Sequence, residues 1–174
     1  MIPLETYIRD IPDFPKKGII FKDITPLLGN AKALSQTVEL LVEPFTCAGV
    51  DVVVGIESRG FIFGSLVAQR LGVGFVPVRK LGKLPYKTIH ASYDLEYGRD
   101  SVEMHVDAIK PGQKVLMVDD LIATGGTMSA ACQLVEQLGG KIVGLAFVIE
   151  LTFLNARKRL APYRMHSLVH VTSE

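Results

Sequence analysis

The stretch that most constrains the fold runs from Val115 to Thr127. Val115-Leu116-Met117-Val118 is an apolar run, Asp119-Asp120 follow it, and Leu121-Ile122-Ala123-Thr124-Gly125-Gly126-Thr127 leads into a helical pattern. An apolar run without polar alternation suits a strand buried on both faces, as in a parallel sheet. The two glycines permit positive φ and close backbone approach, Thr127 can open the following helix, and successive amides at such a turn form an anion nest.

Carboxylates placed directly before a phosphate loop repel the phosphate unless their own partners are hydroxyls or metal-bound waters. A ribose 5-phosphate satisfies both ends, with its phosphate on the amides of Ala123, Thr124, Gly125, Gly126 and Thr127 and its vicinal diol on Asp119 and Asp120. Other phosphate motifs do not fit. A P-loop needs a lysine just before the Ser/Thr at the helix start, where Gly126 stands, and the three spaced glycines of a dinucleotide fingerprint occur nowhere in the chain. A strand that merely ends in two aspartates, or a chain that merely turns at two glycines, accounts for each half alone. Their conjunction between strand and helix favours the sugar-phosphate site.

The rest of the chain repeats this grammar. The pattern predicts strands at 51–56, 74–78, 114–118 and 141–149, helices at 61–71 and 126–138, and an earlier amphipathic helix at 31–45. Alternating strands and helices imply an α/β fold with a mainly parallel central sheet flanked by helices. Gly139-Gly140 closes the second of those helices. Two segments break the alternation. Residues 1–30 read as a partly irregular hood over the carboxyl edge of the sheet, and 80–106 as a lid whose strands, 88–97 and 101–106, turn at Gly98-Arg99-Asp100. No linker or repeat divides the 174 residues, so one domain, 1–174, is expected.

Charge and composition narrow the function. Nineteen basic against eighteen acidic residues leave a net charge of +1, which gives no bulk support for nucleic-acid or membrane-surface binding. The first residues lack a basic region followed by an apolar one, and no apolar run approaches a spanning length, so a cytoplasmic protein is expected. Cys47 and Cys132 fall in predicted helical contexts with no metal-ligand spacing, which favours buried, reduced thiols. His166 and His170 lie in an alternating segment, 163–171, that suits a strand better than a metal site.

Two further clusters carry chemistry. Glu57-Ser58-Arg59-Gly60 follows one buried strand and precedes a helix, so its amides and the Arg59 guanidinium can hold a second anion. Arg79, Lys80 and Lys83 crowd cations into a segment with Gly82 and Pro85 that is too polar and broken for a core element. It reads as a mobile lid that brings charge over a departing anion and excludes water.

The 115–127 segment strongly resembles the phosphoribosyl-pyrophosphate motif of the type I phosphoribosyltransferases, and the resemblance extends over nearly the whole chain. It includes Asp13-Phe14-Pro15, Gly18 to Pro26, Gly55-Ile56-Glu57-Ser58-Arg59-Gly60-Phe61, Arg79-Lys80 with Gly82-Lys83-Leu84-Pro85, and Leu95-Glu96-Tyr97-Gly98. The first and last of these point to the adenine branch. The resemblance implies the fold of that family, and Mg²⁺-dependent transfer of phosphoribosyl from phosphoribosyl pyrophosphate (PRPP) to adenine, giving AMP and pyrophosphate in purine salvage by a homodimer. It places pyrophosphate on Ser58 and Arg59 with Arg79, Lys80 and Lys83, and implies a strained or cis peptide in the Ser58 loop. Glu96 and Arg59 become the catalytic candidates, with Glu96 managing the proton of the purine imidazole ring and Tyr97 packing over the site or bonding to phosphate.

Base choice falls to Ile20-Phe21-Lys22, where a backbone carbonyl can accept from an exocyclic amine while an amide donates to the adjacent ring nitrogen. Phe21 and Leu121 are candidates to sandwich the ring. An oxopurine would face oxygen toward oxygen there, at a loss of roughly 1–3 kcal/mol. Mg²⁺ is expected on PRPP and water, with no direct protein ligand. The rival readings are a salvage enzyme for xanthine or another base, and a regulator that keeps the sugar-phosphate site as a sensor.

Overall fold

The computed structural model describes residues 2–95 and 98–173. A 3-10 turn, Leu4–Tyr7, precedes a short antiparallel pair, β1 (Arg9–Ile11) and β2 (Phe21–Asp23), and a single-turn helix α1 (Thr25–Leu28). There follow α2 (Ala31–Val42), β3 (Val52–Ile56), α3 (Gly60–Leu71), β4 (Gly74–Lys80), β5 (Thr88–Leu95), β6 (Gly98–His105), β7 (Lys114–Ile122), α4 (Gly126–Gln137), β8 (Lys141–Leu151), α5 (Ala156–Arg159) and β9 (Met165–Val171).

The apolar runs become strands because both of their faces are covered. The order in the seven-stranded sheet is β5-β6-β4-β3-β7-β8-β9, with β4, β3, β7, β8 and β9 parallel and β5 and β6 antiparallel. Val53, Leu116, Val118 and Val148 pack toward Leu41 of α2 and Phe63 and Val67 of α3. Their strand neighbours Val52, Val54, Met117 and Phe147 pack toward Met128, Ala131 and Leu134 of α4. The 2.0-residue period of a strand, buried in both directions, therefore reads in sequence as an unbroken apolar run.

Three expected boundaries move, each because a partner strand continues. β7 runs beyond Val118 to Ile122, since Leu121 and Ile122 stay in register with Ile149 and Glu150 of β8. β4 runs beyond Val78, since Arg79 and Lys80 pair with Glu103 and Val102 of β6. In the hairpin, Leu95 stands opposite Gly98, so 98–100 is strand and not the expected turn. The base of the hairpin is also part of the core: Ala91, Val102 and Met104 are buried in the same cluster as the inner face of α4. The hood is tied in similarly through Leu4, Ile24 and Leu27, which are buried against the α2–α3 side.

Cys132 is buried in α4 as expected, and burial pushes its thiol up to about 12. Cys47 corrects the expectation, because it is exposed in the turn that follows the Glu43–Phe45 3-10 segment, not buried in a helix. The helical pattern at 31–45 tightens at Pro44, which cannot continue an α-helical ladder as a donor. His166 lies in β9 with Nε2 3.0 Å from the Leu40 carbonyl, a packing role.

One close approach connects α3 to the sheet. A Cβ on Gly64 would meet Phe75 Cε2 at 2.7 Å and the Gly55 Cα at 3.3 Å, so the Phe75 ring occupies a slot that two glycines leave open. Helix propensity favours alanine over glycine by about 1 kcal/mol, whereas overpacking costs about 1–3 kcal/mol. The steric effect wins on these magnitudes. Gly64→Ala is expected to lower stability in urea unfolding by about 1–2 kcal/mol, and Phe75→Leu in the same chain to recover part of the loss.

Candidate active site

The glycine turn delivers an open helix end. Gly125 adopts φ 80° at the N-cap of α4 and offers no side-chain cap, so the first-turn amides of Gly126 and Thr127 lack an intrahelical acceptor. A residue with a Cβ is strained at that φ, and a Cβ there would also press on Ala156 and Leu160 at 3.3 Å. Beside this turn stand groups that sequence reading did not single out. Arg159 Nη1 lies 3.0 Å, and Tyr93 Cδ2 3.3 Å, from where a Cβ of Gly126 would be. The Tyr93 phenol donates to Asp100 Oδ2 at 3.1 Å, and burial raises its pKa.

Arg59 is the junction of three segments. Its Nε is 2.8 Å from Asp120 Oδ2 at the end of β7, its Nη1 donates to the Lys22 carbonyl at 3.2 Å, and its guanidinium lies 4.9 Å over the Phe21 ring. Asp120 is buried, and its Oδ2 accepts no aligned hydrogen bond among the described residues. Asp119 is half-buried and packs against the start of α3: a Cβ on Gly60 would come within 2.6 Å of Asp119 Oδ1. Oδ1 of Asp119 also accepts from the Asp120 amide at 2.9 Å. Burial raises the pKa of both carboxyls. The Asp120 charge raises Asp119 further, while Arg59 opposes the rise at Asp120.

The Glu57–Ser58 peptide is cis, in the loop where the resemblance implied such a bond. Ser58 is exposed, and Glu57 meets the cations of the 79–83 segment. Its Oε1 accepts from Arg79 Nη2 at 3.0 Å and Lys83 Nζ at 3.1 Å, and its Oε2 from Arg79 Nε at 3.3 Å and the Lys80 amide at 3.1 Å. The Arg79 hydrogen bonds, foremost, hold the Glu57 carboxyl down at about 2. Lys80 Nζ is 2.9 Å from Asp100. Glu103, buried in β6, accepts from the amides of Lys83 and Leu84 at 2.9 and 2.8 Å and from Thr88 at 3.2 Å. The segment from Arg79 to Leu84 is thus anchored by carboxylates from below.

A cavity of about 440 Å³ opens between the N-terminal segment and the glycine turn. Ile20 and Lys22 line it on one side and Ala123 and Thr124 on another, with Phe153 and Leu154 from the segment after β8 as an apolar wall. Lys22 Nζ turns to Asp10 at 2.7 Å. Phe21 and Leu121 do not line this cavity: one face of Phe21 meets Arg59, and Leu121 is half-buried on the α2–α3 side of the core.

The structure therefore brings together Asp119, Asp120, Arg59, the 123–127 turn and the Ile20–Lys22 backbone around one end of the parallel sheet, with Arg79, Lys80 and Lys83 beside Glu57. Glu96 and Tyr97 lie outside the described residues. Glu57, Glu103, Tyr93 and Arg159 are additions that only tertiary contact reveals. The faint signals for two of them were a carboxylate in the alternating 101–106 segment and a run of cations at 157–159.

Residues 30–171 match the model of the phosphoribosyl transferase domain. An adenine phosphoribosyltransferase of Nitrosococcus oceani is 59% identical over 167 residues, which are 96% of this chain and 98% of that protein. This chain belongs to the adenine phosphoribosyltransferase family. Solved structures of the family agree in shape. An adenine phosphoribosyltransferase from Rhodothermus marinus superposes with a TM-score of 0.93 at 56% identity, covering 97% of this chain and 96% of that one. The Saccharomyces cerevisiae adenine phosphoribosyltransferase, solved with an imino-altritol bisphosphate and adenine, gives 0.90 at 43% identity, with 95% and 96% covered.

The paired aspartates of this adenine phosphoribosyltransferase family member burden its fold. The native state binds protons at Asp119 more tightly than the unfolded chain, so the stability linked to that group falls as pH rises above the ordinary carboxylate range. Asp119→Asn is therefore expected to raise the melting temperature at pH 7.5 by about 2–4 °C, as a gain of about 1 kcal/mol would. The difference should shrink as the pH is lowered into the ordinary carboxylate range. Differential scanning calorimetry across that range checks the sign.

Proposed function

We infer that this chain is an adenine phosphoribosyltransferase in activity as well as family, transferring 5-phosphoribosyl from PRPP to adenine with release of pyrophosphate and formation of AMP in purine salvage. The observation that carries the reading is the uncapped α4 start directly after two carboxylates, one of them joined through Arg59 to the Lys22 carbonyl. That geometry offers an anion cradle, a diol site and a base site in the order in which a nucleotide presents its parts.

In this reading the 5-phosphate occupies the amides of Ala123 to Thr127, and Asp119 and Asp120 take the ribose hydroxyls. Ser58 and Arg59 take the pyrophosphate with Arg79, Lys80 and Lys83. The backbone of Ile20–Lys22, with Phe21 and Leu121 near the ring, selects adenine. Glu96 stabilises the proton arrangement on the imidazole ring as the N9 bond forms, and Tyr97 covers the site. Displacement at the anomeric carbon passes through a centre of oxocarbenium character, so fixed charges placed beforehand are worth more than charges that must reorganise. Excluding water protects that centre from hydrolysis.

The donor set at the end of β7 fits Mg²⁺ carried by PRPP. A hard cation takes oxygen ligands and keeps several waters, and Asp119 together with Asp120, whose Oδ2 is ion-paired with Arg59 but takes no aligned hydrogen bond among the described residues, provides anionic oxygens for such waters and for hydroxyls. The ion would neutralise the leaving diphosphate. The working form in this reading is a cytoplasmic homodimer of one-domain subunits, 1–174, with 1–30 as hood and 80–106 as lid. Among the described residues no helix is long and apolar enough to cross a membrane.

The test is incubation of the purified protein with PRPP, Mg²⁺ and a panel of purines and pyrimidines, following nucleotide and pyrophosphate together. AMP from adenine, with hypoxanthine, guanine and xanthine at least about tenfold slower, is the expected outcome. Absence of AMP, or preference for an oxopurine, overturns the reading. Asp119→Asn with Asp120→Asn should raise the KM for PRPP by about tenfold or more, through lost hydrogen bonds to the diol. Glu96→Ala should instead lower kcat by about 10²-fold with little change in KM.

A further inference from the structure

The cations expected to meet pyrophosphate already have internal partners. Arg79 and Lys83 both donate to Glu57, at 3.0 and 3.1 Å to the same oxygen, and Lys80 pairs with Asp100 at 2.9 Å. With Glu103 holding the Lys83 and Leu84 amides, three cations face three carboxylates, and the patch has no excess positive charge with which to draw in a diphosphate. Glu57 differs from the other two in position. It directly precedes Ser58 and Arg59, its side chain is only 11% exposed, and it is the one carboxylate that bridges two cations at once.

We propose that Glu57 is a resident anion that competes with pyrophosphate for Arg79 and Lys83, and so sets how tightly the diphosphate is held and how readily it leaves. Resting on the transferase reading above, this makes Glu57 a positioning residue for the diphosphate subsite. Without a ligand, it keeps two like charges side by side and prevents their mutual repulsion from splaying the segment. When a diphosphate arrives, Arg79 and Lys83 exchange one anion for another, and the displaced carboxylate remains nearby as a repulsive neighbour. Diphosphate affinity is therefore lower than the cation count suggests. That suits an anion that must be released at every turnover. A purely structural Glu57 would act in the opposite sense, since its loss would disorder the cations and weaken diphosphate binding.

Calorimetric titration of inorganic pyrophosphate with Mg²⁺ into the full chain tests this, with AMP titration as the control for the phosphate cradle. Glu57→Gln should bind pyrophosphate about three- to tenfold more tightly and lower its product-inhibition constant by the same factor. AMP affinity should stay within about twofold of wild type, and Glu57→Asp, which keeps the charge, should remain near the wild-type affinity for pyrophosphate. Weaker or unchanged pyrophosphate binding by Glu57→Gln overturns the assignment. A crystal structure of the wild-type protein with pyrophosphate gives a check that does not depend on the variant folding. Lys83 Nζ and the Arg79 guanidinium should have left Glu57 for the diphosphate, and retention of the contacts described here overturns the assignment. If the wild-type chain forms no AMP from adenine and PRPP, the functional reading fails and takes this assignment with it. If it forms AMP while either result goes against Glu57, only the assignment falls.

Discussion

Arg59 and Asp120 make the contact on which the arrangement of the site depends. The pair joins the loop after β3 to the end of β7, and through the Lys22 carbonyl and the Phe21 ring the same guanidinium holds the hood. An arginine suits this position better than a lysine would. Its planar fork can satisfy a carboxylate and a carbonyl in different directions while a flat face remains for an aromatic ring. Three segments distant in sequence are thereby kept in mutual register at the carboxyl ends of the parallel strands, where open α/β sheets bind ligands.

Electrostatics at this end of the sheet is organised by neutralising like charges close together. Glu57 and Glu103 have their pKa values lowered by hydrogen bonds, Glu57 chiefly from Arg79 and Glu103 from backbone amides that outweigh its burial. Asp119 and Asp120 are raised, foremost by loss of hydration, with the Asp120 charge adding to the rise at Asp119 and Arg59 opposing it at both. The first pair serves the architecture of the segment from Arg79 to Leu84. The second is poorly compensated within the protein, and groups perturbed in this way cluster at functional sites.

Much of the fold was legible in the sequence, for identifiable reasons. β3 and the first half of β7 are buried on both faces, so their apolar runs carry the signal without help from neighbours. The ends of β4 and β7 were not legible, because Arg79-Lys80 and Asp119-Asp120 look like loop residues unless β6 and β8 are already beside them. The same limit applies to the site. The glycine turn and paired aspartates are contiguous and could be read as one motif. The contacts of Glu57 with Arg79 and Lys83 span 22 and 26 positions, and those of Glu103 with the Lys83 and Leu84 amides 20 and 19, and no local pattern announces them. Cys47 shows a different failure: helical periodicity persisted on paper past Pro44, where backbone chemistry ends it.

The burial of Ala91, Val102 and Met104 against α4 has a dynamic corollary. A hairpin whose root is welded into the main hydrophobic layer cannot swing as a rigid flap about residues 80 and 106 without breaking that layer. Such a motion would approach the cost of sub-global unfolding, far too slow for catalytic gating. Fraying of the β5–β6 ladder would instead start at its distal rungs and stop before the buried ones, so its amplitude is capped by where the side chains become apolar.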